Sequence, residues 1–512
     1  MKQSLFRKAD RKGMLRALGG RLSGRMSEDS ESTDGVFGTA DGRAQPTVSF
    51  AVPDIAGMGE SVPANRTIEE RANGQPSVKT LRAVSGAHVS ALFDQALVSG
   101  ASFLTMIMIG RWTNPVELGL YAIGVSVLLS FLATQQTLIS LPYQVQRCSP
   151  AATAAEHAGG ALVQCGLLAL LPVVLLTLAA LGLIANGAKP EVVALAWVLA
   201  GVAPFVLLRD FGRGFAFAHL HAGRAFRLDL AVAAIQFAAL GWLGWTGRVS
   251  ANAAYVAIGV ACALPSIVWL YRARADFAIR MDRLRATMKR SWTLGKWLFG
   301  VEITRALQVY LTFWLLAWLV GTRETGIYAA SASVATLLNP LIFGLGNIFV
   351  PRAILAFKER GIDALQREVT RDLWLRAGPM ALFCVLVLFA GNELLYLLYR
   401  SEDYGGHGHA ITVLAFANLA LVIGSPVYMA LLVMEHPREV FRTEALAAVL
   451  TVALICSLVG ALGLLGVAYA CLAGNVVRMT GWWLAFAVLA AAHRNDVPKT
   501  GEPGLSNVVA AE

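Results

Sequence analysis

Charge is what this chain has least of. Of its 512 residues only 15% are Asp, Glu, Lys or Arg, and 56% are hydrophobic, whereas a soluble domain devotes about a quarter of its residues to charge. An ordinary soluble enzyme is excluded on that ground. Ordered cysteine chemistry is missing as well. The six cysteines, Cys148, Cys165, Cys262, Cys384, Cys456 and Cys471, form no CxxC pair and imply no disulfide framework, so they read as small packing residues. There is no P-loop: Gly295-Lys296 is followed by Trp297 where a phosphate and magnesium site needs Ser or Thr. The short His pairs, His219/His221 and His407/His409, lack carboxylate or cysteine companions at a recognised ligand spacing. No metal or other cofactor is expected, only an exchangeable proton or sodium ion. No seven-residue apolar core near the start suggests a secretory signal.

What the chain does have is apolar runs of about 20 residues, the length that crosses a ~30 Å hydrocarbon core. They recur about twelve times between His88 and Ala492. The spans read near 88–110, 116–140, 158–185, 190–209, 225–246, 251–271, 292–320, 324–349, 373–398, 409–433, 440–462 and 464–491. Helices are expected, because a membrane barrel would show alternating ten-residue strands. The fold class is thus an all-α polytopic membrane protein of about twelve transmembrane helices. Lys and Arg collect in alternate loops: the central one holds seven between Arg272 and Arg290, and another holds Arg209, Arg213, Arg224 and Arg227. That bias places both termini in the cytoplasm. Anionic headgroups and this bias account for the +10 net charge, so no nucleic-acid partner is called for.

The division that follows is a basic, largely disordered cytoplasmic tail over 1–85, a six-helix bundle over 86–272 and a basic linker over 273–291. A second six-helix bundle over 292–492 and a short cytoplasmic tail over 493–512 complete it. The halves repeat one another. Gly119-Leu120-Tyr121-Ala122 returns as Gly326-Ile327-Tyr328-Ala329, and each is followed by a hydrophobic-Pro pair, Leu141-Pro142 and Val350-Pro351. His221, Phe226, Arg227 and Asp229 match His436, Phe441, Arg442 and Glu444 in spacing. An even number of helices per half makes this a parallel pseudo-two-fold repeat, a common way of building a cavity between bundles.

Asp94 through Phe103, then Gly110-Arg111-Trp112 and Glu117-Leu118-Gly119-Leu120-Tyr121-Ala122, resemble the opening of Wzx-type polysaccharide flippases. These belong to the polysaccharide transporter family of the superfamily that also holds multidrug and toxin extruders. The resemblance implies an inner-membrane carrier, not an enzyme, that moves undecaprenyl-diphosphate-linked oligosaccharide across the membrane without ATP hydrolysis for exopolysaccharide or O-antigen biosynthesis. It implies as partners the lipid-linked substrate, membrane lipids, a polysaccharide polymerase and a chain-length regulator. The long segment before Asp94 departs from the family's pattern.

Such a substrate needs a cationic cavity, and charges deep in apolar spans are the candidates for lining it. Glu302 and Arg305 lie roughly 15 and 20 Å along span seven from Trp292, and Arg478 is similarly deep in span twelve. Glu302 and Arg305 are three apart and either line the path or pair with each other. Arg478 has no evident partner in its own helix and is the stronger candidate for the diphosphate. Asp94 is read either as an ion-coupling carboxylate or as an interfacial group that caps a helix or pairs with a loop arginine. Arg227-x-Asp229 and Arg442-x-Glu444 are assigned to inner-gate geometry rather than to substrate. Pro172, Pro204, Pro265, Pro340 and Pro379 can kink their spans. The rivals are a cation-coupled multidrug extruder of the same fold, a major-facilitator carrier, whose Gly- and Arg-rich signature is absent after span two, and a membrane glycan polymerase or ligase, for which the external loops are too small.

Overall fold

The computed structural model describes residues 78–146, 154–219 and 221–496, so most of the expected N-terminal tail and the end of the C-terminal one lie outside the described residues. All regular structure among the described residues is helical. The first half comprises α1 (Val78–Trp112), α2 (Pro115–Gln135), α3 (Leu141–Gln146), α4 (Ala154–Ala185), α5 (Pro190–Ala218), α6 (Ala222–Trp245) and α7 (Ala251–Arg272). The second comprises α8 (Met281–Leu319), α9 (Thr322–Ala335), α10 (Asn339–Tyr399), α11 (Gly408–Val433), α12 (Pro437–Leu462) and α13 (Leu464–Asp496). Nine helices among the described residues are long and apolar enough to cross a bilayer. The other three expected spans are also helical, but α1 is apolar only over Ala96–Trp112, α8 carries charge, and α9 is short.

The turns follow from local chemistry. Asn114 caps α2 by accepting the Glu117 amide at 3.1 Å, with Pro115 in the first helical position, where its missing N–H costs nothing. Ser250 caps α7 through the Ala253 amide at 3.1 Å. Glu117 then accepts the Ala251 amide at 2.6 Å, tying the starts of α2 and α7 together. On the arginine-rich face, here called the basic face, His221 precedes α6 and His436 precedes α12 with nearly the same backbone: φ −98, ψ 54 and φ −108, ψ 55. Their amides close equivalent turns on Ala216 and Leu431. The repeated histidines therefore mark a repeated helix start.

Helix pairing repeats too. In the first half α4 packs on α5, α5 on α7, α6 on α7 and α1 on α6. In the second, α10 packs on α11, α11 on α13, α12 on α13 and α8 on α12.

Of the prolines expected to kink spans, Pro340 marks a break. α9 ends at Ala335, three residues of turn follow, and α10 restarts at Asn339-Pro340. Asn418 of α11 satisfies the interruption by donating to the Ala335 carbonyl at 3.2 Å and to Asn339 Oδ1 at 2.7 Å, as a broken helix inside a membrane requires. Pro172, Pro204 and Pro265 sit within continuous helices instead. α10 is two helices joined at Gly361, whose φ of +71 suits glycine. In the first half a π-helical turn, Gln136–Ser140, lies between α2 and α3.

Candidate functional site

At the face opposite the basic one, the two halves meet where α2 crosses α9 at the repeated glycines. A Cβ on Gly119 would overlap the Thr322 carbonyl, and one on Gly326 would overlap the Pro115 carbonyl. Each glycine also faces the other's backbone. Only glycine allows an approach this close. The tyrosines two residues on turn into their own halves. Tyr121 stacks on Tyr255 with centroids 5.2 Å apart and accepts the Tyr255 hydroxyl at its carbonyl. Tyr328 lies edge-on to Phe313 at 5.2 Å and meets the Cys471 sulfur at 3.7 Å. Further contacts at the same face join α1 to α10: Arg111 donates to the Leu397 carbonyl at 3.0 Å, and Gly110 lies under the Tyr399 ring.

Toward the basic face the first half holds a charge cluster built by three helices. Asp94 of α1 and Asp229 of α6 are buried, and Arg213 of α5 bridges them, at 2.7 Å to Asp94 Oδ2 and 3.0 Å to Asp229 Oδ2. Arg209, one turn back on α5, holds Asp229 Oδ1 at 2.5 Å. Asp210 is buried beside them and accepts from Gln135 at 3.2 Å. Arg209, Asp229, Gln236, Ser102, Tyr121 and Tyr255 contribute to the wall of a cavity of about 150 Å³ enclosed by α1, α2, α5, α6 and α7.

The second half is built differently. Glu444, the repeat counterpart of Asp229, is buried on α12, but its guanidinium partner comes from α13: Arg478 Nε lies 3.1 Å from Glu444 Oε2. Arg478 also donates to Asn475 at 3.0 Å and lies near the Trp482 ring. A second buried pair, Arg376 with Asp372 at 2.5 Å, sits on α10, and Arg376 donates to Ser425 at 3.2 Å.

Several expectations change. Arg478 does have partners, Asn475 on its own helix and Glu444 on the next. Arg227 and Asp229 do not pair, and neither do Arg442 and Glu444. Residues two apart point to opposite sides of a helix, so the acids turn inward, Arg227 folds back on the Gly223 carbonyl and Arg442 binds Glu439 at 2.7 Å, both arginines exposed. Asp94 does not cap a helix; its buried carboxylate pairs with Arg213, one of the arginines expected in the loop, 16 residues into α1 from Val78. Arg209 and Arg213 are not loop residues, since α5 continues to Ala218. Glu302 is half-buried on α8; Arg305 lies on the same helix, with its side chain outside the described residues. Arg209, Arg213, Arg376 and Arg478 all hold buried acids. Sequence reasoning missed Arg209, Arg213, Asp372 and Arg376. The available signal was their spacing: Arg209/Arg213 and Asp372/Arg376 are each four apart, on one helical face, in segments that run on into apolar sequence.

No family model and no curated protein matches this sequence. Solved structures do match. An inward-facing multidrug resistance MATE family transporter of the MOP superfamily aligns with a TM-score of 0.68 at 15% identity, over 80% of this chain and 99% of that one. The chain has the fold of a MOP-superfamily transporter. The outward-facing conformation of a MATE family transporter scores lower, 0.55 at 16% identity over 80% and 96% of the two chains. A MOP superfamily transporter from Pyrococcus furiosus, described as having a binding pocket of reverse polarity, scores 0.57 at 14% identity over 80% and 96%. The shared fold and the nine helices long and apolar enough to cross a bilayer together describe a multi-pass membrane protein.

Proposed function

We propose that this protein is an alternating-access flippase that carries a lipid-linked oligosaccharide diphosphate from the cytoplasmic to the outer leaflet of a bacterial inner membrane. The observation that carries the reading is the pairing of the buried acids. Asp94, Asp229, Asp372 and Glu444 each hold a guanidinium, and Asp210 holds an amide. A cationic drug entering these bundles meets acids that already have partners. A diphosphate is better placed, because phosphate oxygens match the guanidinium fork as carboxylates do and can take an arginine over from its acid. On this reading Arg478 exchanges Glu444 for substrate as the bundles move, Arg305 adds the second contact, and Glu302 shapes the same path. Asp229 and Glu444 hold the gate through their arginines rather than through Arg227 and Arg442. Support also comes from the resemblance at Asp94–Ala122 and from the inward-facing neighbour.

A second reading, cation-coupled extrusion of amphipathic drugs, has the support of the MATE family neighbours. In it Asp94 is the coupling group, and a proton or sodium ion competes with Arg213 for the carboxylate.

The test separates substrate contact from scaffolding. Arg478→Ala is expected to leave the protein in the membrane and the oligosaccharide-lipid on the cytoplasmic leaflet. Arg478→Ala with Glu444→Ala removes both halves of the ion pair, so a merely structural role predicts recovery. The flippase reading predicts none, measured as surface polysaccharide in cells. Normal polysaccharide in the double variant contradicts the assignment of Arg478.

A further inference from the structure

Among the described residues, the connector between the halves carries the densest run of Lys and Arg. From Arg272 to Trp292 there are seven Lys or Arg and two Asp. The basic stretch from Arg352 to Arg371, by comparison, has five Lys or Arg and three acids, and Arg494 neutralises one of those, Asp363, at 2.8 Å. The first three turns of α8 sort this charge by face. At about 100° per residue, Arg283, Thr287 and Ser291 form one stripe, and it is turned toward the first half. Arg283 binds Glu156 at 2.5 Å, Thr287 lies against Gly160, and Ser291 is buried. Ahead of it, the Ala278 amide donates to the Ala155 carbonyl at 2.8 Å. The other stripe, Met281, Arg285, Met288, Lys289 and Trp292, falls within an arc of about 100° and is exposed throughout, with Met281 at 69% and Trp292 at 54%.

We infer that this stripe is an anionic-lipid docking surface. Cations alternating with exposed Met and Trp on one helical face are the pattern of a helix lying at the headgroup level, with its apolar groups at the acyl boundary and its charge on phosphate. Charge complementarity selects the occupant: five net positive charges in one short connector suit an acidic phospholipid and not a neutral one. Because the reverse side of the same turns grips α4 through Glu156 and Gly160, a lipid bound there steadies the brace between the halves at the basic face.

The experiment uses the full chain in nanodiscs of mixed phosphatidylglycerol and phosphatidylcholine, with retained lipid read by native mass spectrometry and backbone exchange read over residues 274–292. Wild type is expected to retain phosphatidylglycerol selectively and to show slower exchange in this segment than in pure phosphatidylcholine. Arg285→Gln with Lys289→Gln, both exposed, should weaken that retention roughly thirtyfold, from a factor of about five per basic residue at a membrane surface. Arg367→Gln with Arg371→Gln, also exposed, should change it little. Equal retention of both lipids by wild type, as expected if a protein partner occupied the stripe, overturns the inference. An equal loss in the Arg367/Arg371 variant also overturns it, since general surface charge would then be the cause.

Discussion

Arg213 is the residue on which the first half's charge cluster turns. It joins α1 to α6 through Asp94 and Asp229 while itself belonging to α5. Removing one partner of a buried ion pair leaves the other uncompensated, at a cost of about 3–5 kcal/mol. Arg213→Ala is therefore expected to destabilise the protein strongly, and Asp94→Asn to relieve part of that loss in the double variant, because it removes one of the stranded charges. Thermal unfolding of the four proteins in detergent checks this; additive effects of the two substitutions would mean that they do not interact. At this scale the sequence was partly legible. It singled out Arg478 as a deep charge, Asp229 and Glu444 as gate residues and Asp94 as an ion-coupling or interfacial carboxylate, and all four are buried and paired. It could not pair them, because each pair except Asp372–Arg376 joins different helices, and spacing reports only neighbours on one helix. Arg209 and Arg213 were hidden by the positive-inside pattern itself: near a span's cytoplasmic end, a buried arginine and a loop arginine look alike in sequence.

Among the elements, α2 and α9 are where the repeat acquires a physical reason. Two copies of Gly-x-Tyr-Ala recur because the glycines meet across the contact between halves, and the following tyrosines close each half behind it. The alternating access proposed above requires this contact to open and re-form. Gly119→Ala or Gly326→Ala puts a methyl into a facing carbonyl, so either variant is expected to fold with the contact held apart. In a background lacking the native cysteines, Thr325→Cys, a buried position beside the crossing, should react severalfold faster with a membrane-impermeant maleimide when Gly119 is Ala. Unchanged labelling would show that the crossing is not what seals this face. Helix existence was read well from apolar runs, although Pro340 was expected only to kink a continuous span over 324–349, where one helix ends and another starts. The continuation of α8 back to Met281 was not, because its first turns are basic and are held by Glu156 of the other half rather than by apolar periodicity.

For the whole molecule, length and hydropathy were enough to reach an all-helical polytopic membrane fold, and the MOP-superfamily structures share that fold. The polarity of the substrate was less legible, because a count of deep charges takes no account of their pairing. Flipping of a lipid-linked diphosphate oligosaccharide is the central claim, and purified protein in proteoliposomes tests it most directly. With fluorescent oligosaccharide-diphosphate-lipid in both leaflets, the fraction accessible to an external glycosidase should rise well above the protein-free level as inner-leaflet lipid is brought out, and ethidium should not be transported under a proton or sodium gradient. Gradient-driven ethidium transport with no effect on the oligosaccharide-lipid would contradict the claim and establish the extruder reading in its place.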